Sequence, residues 1–205
     1  LLSPWGSGEF HSPLAGQFNL ANVAAAVAAL VLAGEDLASV LAAIRHLQPV
    51  SGRMQSVSND LGIQAIVDYA HTPDALEQVL LSLRPHVEGS IITVFGCGGD
   101  RDKAKRQIMG RIASRYSDEV IVTSDNPRSE EPAVIIADIE AGCTGNYSAE
   151  VDRGRAILAA VERAVPGDCV LVAVKGTWTT SLLKARSFTT VMWSSFRLLS
   201  EGRGP

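Results

Sequence analysis

The sequence predicts an α/β fold in which helices cover both faces of an open, mostly parallel β-sheet. Short apolar runs rich in β-branched residues alternate with longer stretches whose apolar residues recur at helical spacing. Polar loops follow several of the short runs. Parallel strands need helical connections that bury both faces of the sheet, and this alternation is typical of that arrangement.

Two helices are predicted within the first fifty residues. Residues 19–33 are rich in Ala and Val on nearly every face and stop at Gly34, which predicts a buried helix with a glycine at its C-terminal end. From Asp36 the apolar residues return at helical spacing until Pro49, which ends the second helix. The Ser-Gly pair at 51–52 predicts a linker.

Strands and helices alternate after this linker. We predict strands at 63–67, 91–95, 120–123 and 170–174, because these runs are short and apolar. We predict helices from 73 to about 83 and at 105–116, 133–141 and 153–165. Thr72 supplies an N-cap hydroxyl for the first of them, and Pro73 takes its first helical position.

Three polar loops follow predicted strands, at 68–74, 96–102 and 124–128. Because ligands of such sheets bind at the carboxyl ends of the strands, we expect all three loops to open on one edge. In the first loop, Asp68 can accept hydrogen bonds from a ribose, and Tyr69 and His71 can flank a flat base or reach phosphate. Alternatively, Thr72 and Asp74 serve only to cap the next helix, and the two interpretations can coexist.

The second loop is glycine-rich but lacks both the phosphate-binding P-loop spacing and the dinucleotide-binding fingerprint. Its glycines let the backbone approach another group closely, and Arg101 offers a planar fork for a carboxylate or phosphate. The cations Arg101, Lys103, Lys105 and Arg106 can also form a solvated helix start. Because like charges there oppose the helix dipole, the run favours an anionic ligand or acidic neighbours.

The third loop places an amide and a guanidinium around a rigid proline. Arg128 suits the carboxylate of an amino acid, and Asn126 with Asp125 suits its ammonium group. Pro127 stiffens the turn between them. The alternative is a turn closed by the Asn126 side chain without any ligand.

Composition and charge exclude several classes of function. The formal net charge of −4 argues against a general electrostatic grip on nucleic acid or anionic membrane. The longest apolar run, 20–33, is too short for a membrane span of about 20 residues, and no secretory signal is visible. The separated Cys97, Cys143 and Cys169 suit a reducing compartment, so we expect a cytoplasmic protein. Because the chain begins at Leu1 in mid-pattern, we expect a fragment.

Five strings together resemble the Mur ligase family, and within it the members that add meso-diaminopimelate to the peptidoglycan precursor. They are GQFNLAN (16–22), GRM (52–54), DYAHTPDAL (68–76), VFGCGGDRDK (94–103) and DNPR (125–128). Their order and spacing match over about residues 13–176. Each string alone is weakly specific, whereas the ordered set is highly specific.

The resemblance implies a three-domain enzyme whose last domain is Rossmann-like. Residues 1–50 would be the end of the central, ATP-binding domain, and 51–205 the C-terminal domain. The residues implied to contact the nucleotide are Asn19, Arg53, Asp68, Tyr69 and His71, with Arg53 on phosphate and Asp68 on ribose. Those implied to hold diaminopimelate are Arg101, Asp125, Asn126 and Arg128.

The reaction implied is ATP-dependent amide formation. ATP phosphorylates the glutamyl carboxylate of UDP-N-acetylmuramoyl-L-alanyl-D-glutamate, and the amine of diaminopimelate then attacks the acyl phosphate. ATP and Mg²⁺ are the implied cofactors of the full-length enzyme. The P-loop and the modified lysine that assist the metal would lie upstream, so we expect no catalytic residue and no metal ligand in this fragment, and no activity from it alone. We expect a monomer.

The chain departs from the family pattern at 174–181, which reads VKGTWTTS. Val174 stands where the family has glycine, and Trp178 where it has the glutamate that holds the distal ammonium of diaminopimelate. Residues from about 177 to 205 therefore form an atypical tail. In an adjacent reading frame the tail can encode four of the five family residues His-Glu-Asp-Tyr-Gln, which suggests a one-base deletion at the Gly176 codon. A TCN codon at Ser181 would exclude that hypothesis and leave a genuinely divergent tail.

Three other functions remain open from the sequence. The lost glutamate favours a non-catalytic, Mur-ligase-like binding or scaffold protein. Another amide ligase of the superfamily, such as a folylpolyglutamate synthase or cyanophycin synthetase, is disfavoured by the loop at 125–128. A plain dinucleotide-binding domain is disfavoured because the fingerprint is missing.

Overall fold

The computed structural model describes residues 1–14, 16–48, 50 and 52–173. Its helices are α1 (Gln17–Leu32), α2 (Leu37–Ala43), α3 (Pro73–Leu83), α4 (Ala104–Tyr116), α5 (Pro132–Glu140) and α6 (Arg153–Arg163). Its strands are β1 (Leu2–Ser3), β2 (Gly6–Ser7), β3 (Gln55–Val57), β4 (Gln64–Asp68), β5 (Ile91–Phe95), β6 (Glu119–Thr123), β7 (Tyr147–Glu150) and β8 (Cys169–Ala173). Short 3-10 helices, Ile44–His46 and Arg84–His86, follow α2 and α3.

Six strands form one sheet in the order β3-β4-β8-β5-β6-β7. All neighbours in it are parallel except β3, which pairs antiparallel with β4 at the edge. The predicted α/β fold with a mostly parallel sheet is therefore confirmed. β8 is the last described strand, yet it lies between β4 and β5, so the chain returns to the centre of the sheet.

Alternate residues of the central strands supply two separate cores. Ile91 and Phe95 of β5 face the core formed with α3, α4 and α5, whereas Ile92 and Val94 face the core formed with α6. Because side chains alternate along a strand, a fully buried and mainly apolar strand such as β5 serves both faces at once. Helices thus cover both faces of the sheet, as predicted.

The helix starts follow from local capping. The Thr72 hydroxyl accepts a hydrogen bond from the backbone N–H of Ala75 at 3.3 Å, and Pro73 opens α3. The Asp152 carboxylate caps α6 by accepting from the N–H of Arg155 at 2.9 Å. These caps set the residue at which each helix begins, next to the edge of the sheet where the loops lie.

The first helix corrects one prediction. Among the α1 residues whose burial the structure describes, only Val23 and Val27 are buried, and they share a small core with Val40, Leu41 and Ile44 from the segment after it. Leu20, Leu30 and Leu32 are exposed, so α1 is not the buried helix that its composition indicated. An all-round apolar helix needs partners on every side, and the described residues cover only one. Gly34 does follow the helix end, with φ 102°.

The strand and helix predictions after the linker agree with the structure to within two residues, and Ala173 is the last described residue of the strand predicted at 170–174. The second helix was predicted to continue until Pro49, but α2 ends at Ala43 and a 3-10 turn continues only to His46. The hairpin of β1 and β2 and the edge strands β3 and β7 were not predicted. Pro49, Ser51, Val174 and the tail from Gly176, including Trp178 and Ser181, lie outside the described residues. Within the described ranges, none of the helices has the length and apolar character needed to cross a membrane.

Candidate functional site

The second and third loops interlock at the carboxyl ends of β5 and β6. The N–H of Gly99 donates to the carbonyl of Asn126 at 2.9 Å, and the Arg128 guanidinium donates to the carbonyl of Gly99. The N–H of Glu130 bonds back to the carbonyl of Pro127 at 3.0 Å. The third loop is therefore held both by its own turn and by its neighbour.

Two glycines of the second loop are required by this contact. A Cβ added at Gly96 would lie 2.2 Å from the carbonyl oxygen of Thr123, and one at Gly99 would lie 1.9 Å from that of Pro127. Both distances are far inside van der Waals contact. The sequence predicted a close backbone approach here, and the structure identifies the approaching groups as the end of β6 at Gly96 and the third loop at Gly99.

An ion cluster centred on a buried arginine lies directly behind the two loops. Arg106 on α4 is fully buried and donates two hydrogen bonds to the Glu130 carboxylate, at 2.9 and 2.8 Å. It donates a further bond to Asp138 on α5 at 2.8 Å, and Lys103 lies 3.3 Å from Glu130. Hydrogen bonds from Arg106 lower the pKa of Glu130 to about 2. Of the two explanations for the cationic run, the structure provides acidic neighbours, and Arg106 is not part of a solvated helix start.

A second contact ties the two loops together on the solvent side. The Asp100 carboxylate accepts from the N–H of Ser129 at 3.1 Å and from its hydroxyl at 2.7 Å. The N–H of Asp100 in turn donates to Glu130 at 2.7 Å. Asp100 and Arg128 both have left-handed backbones, with φ 50° and 51°. Such conformations are uncommon outside glycine and persist where surrounding contacts hold them.

The structure brings the four residues assigned to the amino acid into these two loops. Arg101, Asn126 and Arg128 are exposed, and Asp125 is half-buried. A Cβ at Gly98 would lie 3.1 Å from the Arg128 guanidinium and 4.0 Å from the Asp125 carboxylate, so both side chains reach the same turn. Two guanidinium groups and one amide thus stand on a rigid support, which suits a ligand carrying carboxylate groups.

Arg53, Tyr69 and His71, three of the residues assigned to the nucleotide, lie together. The Arg53 guanidinium stacks on the Tyr69 ring at 4.8 Å, and the His71 ring meets the Tyr69 ring edge-on at 4.9 Å. Lys105 of α4 donates to the carbonyl of His71 at 2.8 Å, which joins the first loop to the helix that follows the second. All three loops therefore meet at one edge of the sheet, as predicted.

Asp68 is buried, so its carboxylate is not freely accessible to a ribose. Its side chain is only 3% exposed, and its two carboxylate oxygens accept from the N–H groups of Met54 at 2.7 Å and Ala70 at 2.8 Å. Burial raises the pKa of this carboxyl, although the two backbone bonds oppose the rise. Asp68 thereby joins the GRM segment to the first loop, a structural role that the sequence did not indicate.

Asn19, the remaining nucleotide candidate, lies in the first turn of α1 beside Phe18. Its side-chain oxygen accepts from Asn22 at 3.4 Å. Phe18 packs against the core beneath α3, which places this end of α1 against the domain that carries the loops. Among the described residues, no group of three or more His, Cys, Asp or Glu side chains is arranged to hold a metal ion.

The chain is similar to known proteins over most of its length. Residues 52–176 match the sequence profile of the Mur ligase glutamate ligase domain. A relative from Gloeobacter violaceus, named UDP-N-acetylmuramoyl-L-alanyl-D-glutamate–2,6-diaminopimelate ligase, is 54% identical over 179 residues. That match covers 86% of this chain and 37% of the relative, so the chain spans little more than a third of its relative's length.

Solved structures give the same result for the fold. A structure of a UDP-N-acetylmuramoyl-L-alanyl-D-glutamate–2,6-diaminopimelate ligase aligns with a TM-score of 0.61 and 44% identity, covering 85% of this chain and 36% of that one. E. coli FolC in complex with ADP aligns with a TM-score of 0.71 over 92% of this chain and 44% of that one. At 22% identity, this second likeness concerns the fold alone.

Proposed function

Because the chain belongs to the Mur ligase family and contains its glutamate ligase domain, we propose that it is the C-terminal portion of an ATP-dependent ligase that adds meso-diaminopimelate to UDP-N-acetylmuramoyl-L-alanyl-D-glutamate. We place the end of the central domain at residues 1–50 and the C-terminal domain from residue 51 onward. The observation that carries the proposal is the interlocked pair of loops that presents Arg101, Asn126 and Arg128 at one edge of the sheet.

These side chains match the chemistry of diaminopimelate. The molecule carries a carboxylate and an ammonium group at each end, whereas lysine lacks the second carboxylate. Two guanidinium groups on a rigid support favour the ligand with two carboxylates, because a planar fork pairs with a carboxylate through parallel hydrogen bonds. The amide of Asn126 and the carboxylate of Asp125 supply acceptors for an ammonium group.

The nucleotide would lie at the neighbouring loop. Arg53 is exposed and stacks on the half-buried ring of Tyr69, so the cation can turn to a phosphate and the open part of the ring can lie against a flat base. In this arrangement ATP and the amino acid lie side by side on the same edge. Holding the amine next to the activated carboxylate reduces the entropy cost of the attack, which is the main contribution we assign to this domain. Mg²⁺ would neutralise phosphate charge, with ligands outside the described residues.

Calorimetric titration with meso-diaminopimelate, and with L-lysine as the competing amino acid, tests the proposal. We expect diaminopimelate to bind about tenfold more tightly than lysine, since one charge-assisted pair is worth about 1.5 kcal/mol. The Arg128→Ala variant should lose that preference. Arg111→Ala, which removes an exposed arginine on the outer part of α4, is the matched control and should keep it. Equal binding of both amino acids, or binding of neither by the folded chain, would contradict the proposed site.

A further inference from the structure

Arg153 is a buried cation behind the proposed site that the proposed function does not use. It opens α6 and is 4% exposed. One guanidinium nitrogen donates to the carbonyl of Ser124 at 3.1 Å, and another donates to the carbonyl of Ala173 at 3.0 Å. The side chain therefore lies across the carboxyl ends of the central strands, at the edge where the three loops meet.

Its two acceptors belong to segments on either side of β5. Ser124 is the first residue of the third loop, directly after β6, and Ala173 is the last residue of β8. The strand order is β8-β5-β6, so one guanidinium spans the end of the strand between them. The donors of a guanidinium lie on separate nitrogens of a planar group, so it can hold two carbonyls at a fixed separation. The donors of a lysine side chain all lie on one nitrogen, which cannot set that separation.

Packing alone does not explain an arginine at this position. Burial lowers the pKa of Arg153, the nearby Asp125 carboxylate opposes that lowering, and among the described residues the Arg153 Nε has no hydrogen-bond partner. The buried Arg106 is different, because its guanidinium donates directly to two carboxylates. Burying a guanidinium that donates to two neutral carbonyls is costly, and an apolar side chain of similar size would fill the space with less desolvation.

We propose that Arg153 is a positioning residue of the amino-acid site, which fixes the start of the third loop, and with it Asn126 and Arg128, relative to the end of β8. The inference rests on the proposed function for the identity of the ligand, but the positioning itself is measurable without any ligand. Arg153 acts through Ser124 and the loop that follows it and touches no substrate.

Amide hydrogen exchange measured by NMR tests the positioning. The reporter is the N–H of Gly99, which donates to Asn126 two residues beyond Ser124. The internal control is the N–H of Ala70, which bonds to Asp68 on the same edge but in another loop. In Arg153→Gln we expect Gly99 to exchange at least about tenfold faster and Ala70 to stay unchanged, since a lost buried hydrogen bond is worth about 1.5 kcal/mol. Equal acceleration at both amides, or at neither, would overturn the proposal.

Two further variants separate positioning from general loosening. Arg163→Gln removes an exposed arginine from the last turn of the same helix, where it pairs with Glu119, and should leave Gly99 exchange unchanged. Arg153→Lys keeps the charge and part of the donor capacity, so it should recover part of the protection. If Arg153→Gln does not fold, Arg153→Lys supplies the test instead. Full protection of the Gly99 N–H in the lysine variant would show that a guanidinium bonded to two carbonyls is unnecessary.

Titration of the same variants with meso-diaminopimelate links the positioning to the site. We expect affinity to fall about tenfold in Arg153→Gln, to recover partly in Arg153→Lys, and to stay unchanged in Arg163→Gln. If the wild-type chain binds no diaminopimelate while Gly99 responds as expected, the proposed function fails and the positioning role stands. If the wild type binds and Arg153→Gln binds within twofold of it, the positioning role is overturned and the proposed function stands.

Discussion

The buried Arg106 and the half-buried Glu130 form a bidentate ion pair, with guanidinium-to-carboxylate distances of 2.9 and 2.8 Å. They are 24 residues apart in sequence, and each belongs to a segment that carries a proposed ligand-binding residue. Arg106 follows Arg101 along the chain, and Glu130 follows Arg128. The pair therefore connects the two loops from behind while their outer side chains remain exposed.

Replacing Arg106 should destabilise the protein strongly. In Arg106→Met, the partly exposed carboxylates of Glu130 and Asp138 lose the hydrogen bonds from the buried guanidinium, and we expect a loss of about 2 kcal/mol in the free energy of unfolding. The control is Arg163→Met, which breaks an exposed pair and should cost at most about 1 kcal/mol. Urea denaturation of both variants gives the comparison, and similar losses in the two would show that the Arg106 pair is not special.

The same pair predicts a dependence of stability on acid. The pKa of Glu130 is about 2 in the folded state and 4.5 in the reference state, so the folded protein binds this proton less readily than the unfolded chain. The stabilisation that ionised Glu130 contributes is thus fully present above pH 4.5 and is lost as the pH falls towards 2. Denaturation followed across this range should show that the free energy of unfolding falls less in Glu130→Gln than in the wild type. An identical acid profile in the variant would refute the assignment.

Adding a single methyl group to the second loop should disturb the site. In Gly99→Ala the new Cβ would lie 1.9 Å from the carbonyl oxygen of Pro127, so the two loops must separate. We expect a loss of about 1–3 kcal/mol in stability and loss of diaminopimelate binding. Gly154→Ala on α6 is the control, because its Cβ would meet only the end of the Asp152 side chain at 3.2 Å. Thermal unfolding should distinguish them clearly, and equal melting temperatures would contradict the contact.

Replacing Asp68 should lower the stability of the fold. Asparagine at this position offers one acceptor oxygen, so either the N–H of Met54 or that of Ala70 loses its partner. We expect Asp68→Asn to cost about 1–3 kcal/mol, and Asp60→Asn on the surface to stay within about 0.5 kcal/mol of wild type. Urea denaturation measures both. An unchanged stability in Asp68→Asn would indicate that the carboxylate serves a ligand rather than the fold.

The sequence predicted the central elements well because their signals are local. β5 is a short, mainly apolar run, and α3 carries its own cap at Thr72, so neither prediction needs knowledge of distant residues. β7 was missed because its residues, Tyr147–Glu150, are polar or small and it is a strand only through its pairing with β6. The exposure of α1 was missed because composition shows that a helix is apolar but not whether anything covers it.

The proposed site, too, could be predicted from the sequence only in part. The loop positions and their exposed side chains could be predicted, since each loop follows a recognisable strand. The groups that hold the loops could not, because Arg106, Asp138 and Arg153 meet their partners across 20 to 32 residues of chain. In the sequence Arg106 is one of several cations at the start of a helix, and only the fold distinguishes it from its exposed neighbours.

NMR chemical-shift mapping of the chain tests most directly whether one edge of the sheet carries the amino acid and the nucleotide side by side. Meso-diaminopimelate should shift the backbone signals of residues 99–101 and 125–128. ADP should shift those of 53–54 and 68–72. Shifts confined to the opposite ends of the strands, where Gly62, Gly89 and Gly167 are joined by hydrogen bonds, would contradict the account, as would the absence of any shift.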